Sequence, residues 1–349
     1  MSNLMLDYIK SQPALWLEML DNRKAITEGF VSAFDNKPVK RIILIGSGSS
    51  NGAARMAAEF FNRSLGVEAT PIEPTRVAPL LDILDPSQTL VLALSQSGKS
   101  ASTLQAAIEA KAKNFAVAGV TADPASPIAK QLKNHLLIPC GEELIGPKTR
   151  GMTATVLTLY LAGLALWKKD DSLIQDLRSS FNLASQNIEA SESWCETNSF
   201  ALASRNTFYL IAEGTDLPIA QEGALKLLET IYTPVHYYEF EEFLHGVHCS
   251  VSDLTTLILI SDSNGDRERM KKLDNFAKTH SSAGFFISTG TPSHLDNELF
   301  IQTSGNELTR PFETLLPFQV MSALISKKKG IDCSKSPFPN FGSDYKTKI

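Results

Sequence analysis

Val91 to Leu104 reads VLALSQSGKSASTL. A short apolar run gives way to a loop of small hydroxyl residues and then to a helix-forming segment. The pattern predicts a β-strand that ends in a Ser/Gly turn at a helix start. The first backbone N–H groups of a helix lack intrahelical partners, and the helix dipole favours negative charge there. Ser95, Ser97 and Ser100 add hydroxyl donors, and Gly98 lets the backbone come close to a ligand. The bland alternative is an ordinary serine N-cap. The density of hydroxyls favours an anion cradle of phosphate size.

Two nucleotide motifs come near and fail. Gly98-Lys99-Ser100 resembles the end of a P-loop, but the first glycine of that motif would fall on Ala93. Gly46-Ser47-Gly48-Ser49-Ser50-Asn51-Gly52 resembles a dinucleotide fingerprint, but its third glycine would fall on Asn51. Serine stands where those motifs use glycine or lysine. That counts against nucleotides.

Outward from this stretch, apolar runs alternate with helical periodicity. Strands are expected at Arg41–Gly46, Val67–Ile72, Thr89–Leu94, Phe115–Thr121 and His135–Cys140, followed by a core helix over Thr155–Trp167. A polar helical stretch from Lys168 to Ser199 precedes a second alternating unit. There, strands are expected at Phe208–Gly214, Thr255–Asp262, Ala283–Thr289 and Glu298–Thr303. Helices are expected at Leu217–Glu229, Arg267–Thr279 and Pro311–Lys329. Such alternation implies an α/β fold of parallel sheets with helices on both faces.

The two units form a repeat. Leu44-Ile45 and Leu210-Ile211 stand 166 residues apart (210 − 44), as do Ser95-Gln96-Ser97 and Ser261-Asp262-Ser263 (261 − 95). In the second copy Asp262 and Asp266 put carboxylates where an anion would sit, so one cradle per chain is expected. The expected domains are N-terminal helices over 1–35, a first α/β domain over 36–170, a helical linker over 171–199 and a second α/β domain over 200–349.

Composition narrows the function classes. At 349 residues the chain has room for two domains, and a net charge of −5 offers no basic footprint for nucleic acid. Cys140, Cys195, Cys249 and Cys333 lack metal-ligand spacing and read as free thiols in a reducing cytosol, with no metal expected. The N-terminus has no signal-peptide core and no segment is long enough for a membrane span, so a cytoplasmic location is expected.

Four segments in order carry a resemblance: Gly48-Ser49-Ser50, Ser95-Gln96-Ser97-Gly98, Glu222-Gly223-Ala224-Leu225-Lys226-Leu227-Leu228-Glu229, and Glu242-Phe243-Leu244-His245-Gly246. Together they resemble the sugar isomerase (SIS) domain family. Within it the chain is most similar to the isomerase half of glucosamine-6-phosphate synthase and to stand-alone sugar-phosphate deglycases. The resemblance implies two tandem SIS domains, each a flavodoxin-like three-layer sandwich, acting on a sugar 6-phosphate without a cofactor. It implies that Ser49, Ser50, Ser95, Gln96, Ser97 and Ser100 bind the substrate phosphate.

The resemblance also gives Glu229 the proton transfer between C1 and C2, over its neighbours Glu222, Glu239, Glu241 and Glu242. His245 takes ring opening, reached from the neighbouring subunit, which implies a homodimer. Lys346 takes the place of the lysine in a C-terminal tail that folds over the sugar. Each role suits its residue type. A proton shift beside a carbonyl needs an enclosed carboxylate, a hemiacetal opens with an acid–base group near neutrality, and a lysine steadies an oxyanion or phosphate.

Two departures from the synthase bear on the reaction. No glutamine-hydrolysing segment is expected ahead of the sugar half, so synthesis of glucosamine 6-phosphate from glutamine is not expected of this chain alone. The loop Glu143-Leu144-Ile145-Gly146-Pro147-Lys148-Thr149-Arg150 is more similar to that of the deglycases, and Lys148 or Arg150 is a candidate partner for a substrate carboxylate. Glu242 is a reserve acid–base candidate. The expected reaction is cleavage of a fructosyl- or glucosyl-amino acid 6-phosphate into hexose 6-phosphate and amino acid. Amino-sugar phosphate deamination and aldose–ketose isomerisation use the same parts. A non-catalytic sugar-phosphate sensor is the reading from another class, and retention of Glu229 and His245 argues against it.

Overall fold

A computed structural model describes residues 3–168, 172–261, 267–281, 283–290, 292 and 297–349. The first described elements are α1 (Leu4–Asp21) and α2 (Arg23–Phe34). A first α/β run follows: β1 (Arg41–Ile45), α3 (Ser49–Phe60), β2 (Glu68–Ile72), α4 (Val77–Leu81), β3 (Thr89–Leu94), α5 (Ala101–Ala112), β4 (Ala116–Thr121), α6 (Pro127–Gln131), β5 (His135–Leu137) and α7 (Arg150–Leu166). The long helix α8 (Ser172–Ala203) leads to the second run: β6 (Thr207–Ala212), α9 (Leu217–Ile231), β7 (Val235–Glu239), α10 (Phe240–Leu244), β8 (Thr255–Ser261), α11 (Arg267–His280), β9 (Ala283–Thr289), β10 (Glu298–Ile301) and α12 (Leu315–Lys328). A single turn, α13 (Phe341–Asp344), lies in the tail.

Both sheets are parallel and have the same order. The first runs β2-β1-β3-β4-β5 and the second, read from its other edge, β7-β6-β8-β9-β10. The repeat offset survives in the register: Arg41 pairs with Thr89, and Thr207, 166 residues on (207 − 41), pairs with Thr255, 166 residues on (255 − 89). This 2-1-3-4-5 order is the flavodoxin-like one. Its ligand crevice lies outside the carboxyl ends of the first and third strands, where the chain turns to opposite sides.

The fold divides into two compact units. One comprises Ala14–Ile174 with Lys335–Ile349, and the other Met1–Pro13 with Gln175–Ser334. The last residues of the chain thus go with the first sheet, not with the second sheet that precedes them in sequence. The reason is backbone pairing, described with the site below.

Each core follows from its sequence. β3 is buried along its whole length, as a central strand that is apolar from Leu90 to Leu94 must be when helices cover both faces. In the first unit Ile43, Ile45, Val91 and Ala93 pack against Leu104, Ala107 and Ala110. Gly163 of α7 lies so close to Phe60 and Phe61 that an added Cβ would come within 2.7 and 2.8 Å of their rings. In the second unit Ile211, Leu257, Leu259 and Phe286 pack with Phe240, Phe243, Met270 and Leu273. Gly223 of α9 plays the close-approach part there, with the Phe318 ring 2.6 Å from where its Cβ would be.

The strands expected from apolar runs are present, within a few residues at their ends. β7 is the exception. Val-His-Tyr-Tyr-Glu has no apolar run, and as an edge strand it leaves His236 and Tyr237 exposed. The carboxylates read from Asp262 and Asp266 lie outside the described residues.

Candidate functional site

The turns after β1 and β3 meet the crevice that the strand order defines. After β1, Gly48 adopts φ +56° as the N-cap of α3, and Ser49 and Ser50 open that helix. Gly46 is tightly placed, because a Cβ there would come within 2.9 Å of the Ser50 carbonyl carbon. Asn51, behind them, accepts from Arg55 Nε at 2.8 Å, and Arg55 in turn pairs with Glu73 at 3.1 Å.

After β3 the chain forms the Ser/Gly loop. Ser95 is 5% exposed, and its hydroxyl accepts from Ser100 N at 3.4 Å, so it braces the loop from inside. Gly98 sits at φ +62°, where a Cβ would come within 2.1 Å of Ser126 Oγ and 2.7 Å of Thr121 Oγ1. No other residue fits that turn without displacing β4 and α6. Ser97 is exposed and Ser100 half-buried, and Ser100 is the N-cap of α5 without bonding a backbone N–H. Its Oγ donates to Thr103 Oγ1 at 3.0 Å. Two hydroxyl-bearing helix N-termini therefore stand on adjacent strands. Backbone N–H groups and hydroxyls of both turns are grouped there, the chemistry that helix N-termini offer to anions.

The chain terminus borders it. Lys348 forms an antiparallel bridge with Ser100, Ala101 N donates to Thr347 O at 3.2 Å, and Ile349 N donates to Lys99 O at 3.0 Å. One of the first helical N–H groups of α5 is thus satisfied by the tail. Lys346, the tail lysine singled out from sequence, takes φ +49°, and it is Lys348 that is bridged to the cradle.

Glu143 is the residue whose part the sequence did not disclose. It is 6% exposed, and its Oε1 accepts from Thr149 N, Thr149 Oγ1 and Arg150 N, each at 3.1 Å. Its Oε2 accepts from Gly151 N at 2.8 Å and from Gln96 Nε2 at 3.4 Å. The N-terminus of α7 is thereby filled by the protein's own carboxylate. Lys148 Nζ donates to the carbonyls of Glu143 and Ile145 at 2.6 and 2.7 Å, and Arg150 donates to that of Glu142 at 3.0 Å. Both cations proposed for a substrate carboxylate thus hold their own loop together. Burial lowers the Lys148 ammonium below the ordinary lysine value; the Glu143 carboxylate opposes this and nearby Lys348 adds to it. Burial, with the charge of Glu143, pushes the Cys140 thiol up to about 11.

In the second unit Glu229 lies in the last turn of α9. Lys226, 1% exposed, donates to Glu229 at 2.6 Å and pairs with buried Glu222 at 3.5 Å. Burial alone would depress the Lys226 ammonium, but the two carboxylates outweigh it and hold it above its ordinary value. Glu229 keeps 36% side-chain exposure, so one end of this buried array reaches the surface. His245 follows α10, 76% exposed, with Nδ1 2.8 Å from Glu241 O and 3.7 Å from Glu241 Oε2. Glu242 lies within α10, where its N–H donates to the Glu239 carboxylate at 3.0 Å.

Topology keeps Glu229 and His245 apart within one chain. α9 leaves the carboxyl edge of the second sheet and descends about 18 Å from Leu217 to Glu229, whereas His245 follows the carboxyl end of β7 directly.

The SIS domain profile matches residues 37–165 and 201–295, more than half of the chain. This chain belongs to the SIS domain family. Glutamine–fructose-6-phosphate aminotransferase (isomerizing) of Aquifex aeolicus is 27% identical over 329 residues, covering 90% of this chain and 55% of that protein. The chain spans about half the length of the curated relatives it matches. A Clostridium difficile protein, provisionally described as a phosphosugar isomerase, superposes with a TM-score of 0.92 at 25% identity and covers 99% of both chains. A Salmonella typhimurium protein, provisionally described as sugar-binding, gives 0.84 at 28% identity over 92% of this chain and 99% of its own. Among the described residues no helix is long and apolar enough to cross a membrane.

Proposed function

We propose that this chain is an enzyme of phosphorylated hexoses and that its reaction is deglycation. It would cleave a fructosyl- or glucosyl-amino acid 6-phosphate, with water, into hexose 6-phosphate and free amino acid. The observation that carries the first part is the pair of hydroxyl-rich helix N-termini at the β1/β3 switch point, built around Ser50, Ser97 and Ser100. The fructose-6-phosphate aminotransferase of Aquifex aeolicus and the Clostridium difficile protein provisionally described as a phosphosugar isomerase support the same substrate class.

In this reading His245 assists ring opening. Glu229 takes the proton from one of C1 and C2 and returns it to the other through an enaminol. The resulting imine adds water and expels the amine. The hydrogen bond from the buried Lys226 ammonium fixes the position of the Glu229 carboxylate, which suits a group that must meet C1 and C2 in turn. The separation of Glu229 and His245 along one chain supports a homodimer in which each histidine serves the neighbouring subunit. A cytoplasmic location and independence of cofactors belong to the same proposal.

Deglycation is put ahead of deamination and isomerisation only on the resemblance of the sequence Glu143–Arg150 to the deglycase loop. The test is a substrate panel of fructoselysine 6-phosphate, glucoselysine 6-phosphate, glucosamine 6-phosphate and fructose 6-phosphate, with Glu229→Gln as control. Release of amino acid, abolished in the variant, is the expected result. Ammonia from the amino sugar, or isomerisation alone, would replace deglycation by those reactions. Binding without turnover would make the chain a sensor.

A further inference from the structure

Residues of α10, of α11 and of the turn Val247–Ser250 line a cavity of about 330 Å³ in the second unit. Its apolar lining is the rings of Phe240, Phe243 and Phe276, with Leu244 and Leu273. Phe240, Phe243 and Leu273 belong to the buried core, so this floor is fixed before any ligand arrives. The remaining lining residues are Arg269, Lys272 and His248, and among the described residues no carboxylate lines the cavity. The volume stands at the small end for a ligand pocket and suits a single ring with a short substituent. The cations of α11 are not equally available to such a ligand. Arg269 donates to Glu241 at 2.5 Å and lies 4.8 Å over the Phe240 ring. Lys271 pairs with Glu268 at 3.1 Å, and Lys278 with Asp274 at 2.8 Å. Lys272 lines the cavity and pairs with no acid among the described residues.

We propose that this cavity binds a small aromatic monocarboxylate. The ring lies against Phe240, Phe243 and Phe276, and the carboxylate meets the ammonium of Lys272. A neutral aromatic gains the apolar contacts alone, whereas a small polar acid gains only an exposed charge, which is worth little by itself. Apolar floor and uncompensated cation together select an amphipathic anion. The last residue of α10 precedes His245, so an occupant touches the helix that carries that histidine.

The test is calorimetric titration of the full chain, Lys272→Gln and Leu244→Trp with phenylacetate, 2-phenylethanol and acetate. Phenylacetate is expected to saturate the full chain and to bind at least about fivefold more tightly than either of the others. Lys272→Gln is expected to weaken phenylacetate about three- to fivefold, the most that one ion pair at a rim contributes, and 2-phenylethanol less than about twofold. Leu244→Trp fills the cavity and is expected to weaken both aromatic compounds at least about tenfold. Far-UV circular dichroism checks that this variant folds, and Lys272→Gln, at an exposed position, decides the matter if it does not. Absence of saturable phenylacetate binding overturns the proposal, as does equal affinity for phenylacetate and 2-phenylethanol. Phenylacetate binding that Lys272→Gln or a folded Leu244→Trp leaves unchanged places the ligand elsewhere and overturns it too.

Discussion

Lys348 is paired through its backbone with Ser100, the residue that caps the helix after β3. Residues 347–349 thus border the turn after β3, and Thr347 O takes the N–H of Ala101 at the start of α5. Lys148 and Lys348 are close enough that the charge of Lys348 helps lower the Lys148 ammonium.

Removal of Thr347, Lys348 and Ile349 deletes the bridge and the bond to Lys99 O. We expect the truncated protein to keep its far-UV circular dichroism, because no sheet strand is touched. Its affinity for fructose 6-phosphate is expected to fall at least about tenfold, corresponding to one or two charge-assisted contacts. Unchanged affinity would mean that the tail lines the cradle without serving it.

Lys226 gives a stability test. Lys226→Met removes the buried ammonium that pairs with both Glu222 and Glu229 and is expected to cost about 3–5 kcal/mol at neutral pH, measured by urea unfolding. The sign with pH follows from the raised value in the folded state. The contribution of the lysine is fully present below its ordinary value and is lost only as pH rises through the higher folded one. The difference between the two proteins should therefore stay level through neutrality and shrink only in strong alkali.

Glu313 is buried before α12, where its Oε1 accepts from Ser304 N at 2.8 Å and Thr309 Oγ1 at 3.0 Å. Burial holds its carboxyl above the ordinary glutamate range. The folded state then binds this proton more tightly than the unfolded chain, so stability falls as pH rises from the ordinary value of 4.5 towards the folded one. Glu313→Gln retains an acceptor for Ser304 and removes the titration. The variant should gain on the native protein as pH increases across that window. Parallel stability profiles for the two proteins would contradict this.

Much of the architecture was legible because central parallel strands are buried on both faces and declare themselves as apolar runs, as β1, β3 and β8 do. Edge strand β7 was hidden for the converse reason. The turn from Ser95 to Ser100 was legible because an apolar run that gives way to serines and glycine marks a strand passing into a helix start. The role of Glu143 was not, because its partners are backbone N–H groups that carry no sequence signal. Nor was the allegiance of the tail, since pairing of Lys348 with Ser100 depends on a loop far away in sequence. Lys226 was visible in its motif, but its full burial between two carboxylates follows only once α9 has a face.

The central claim is that the switch-point crevice of the first sheet binds a phosphorylated sugar through Ser97 and Ser100. The most direct measurement is calorimetric titration of the full chain and of Ser97→Ala/Ser100→Ala with fructose 6-phosphate and with fructose. Binding of the phosphate ester only, weakened at least about tenfold in the double variant, is the predicted result. Equal binding of fructose, or an unaltered affinity in the double variant, would contradict it.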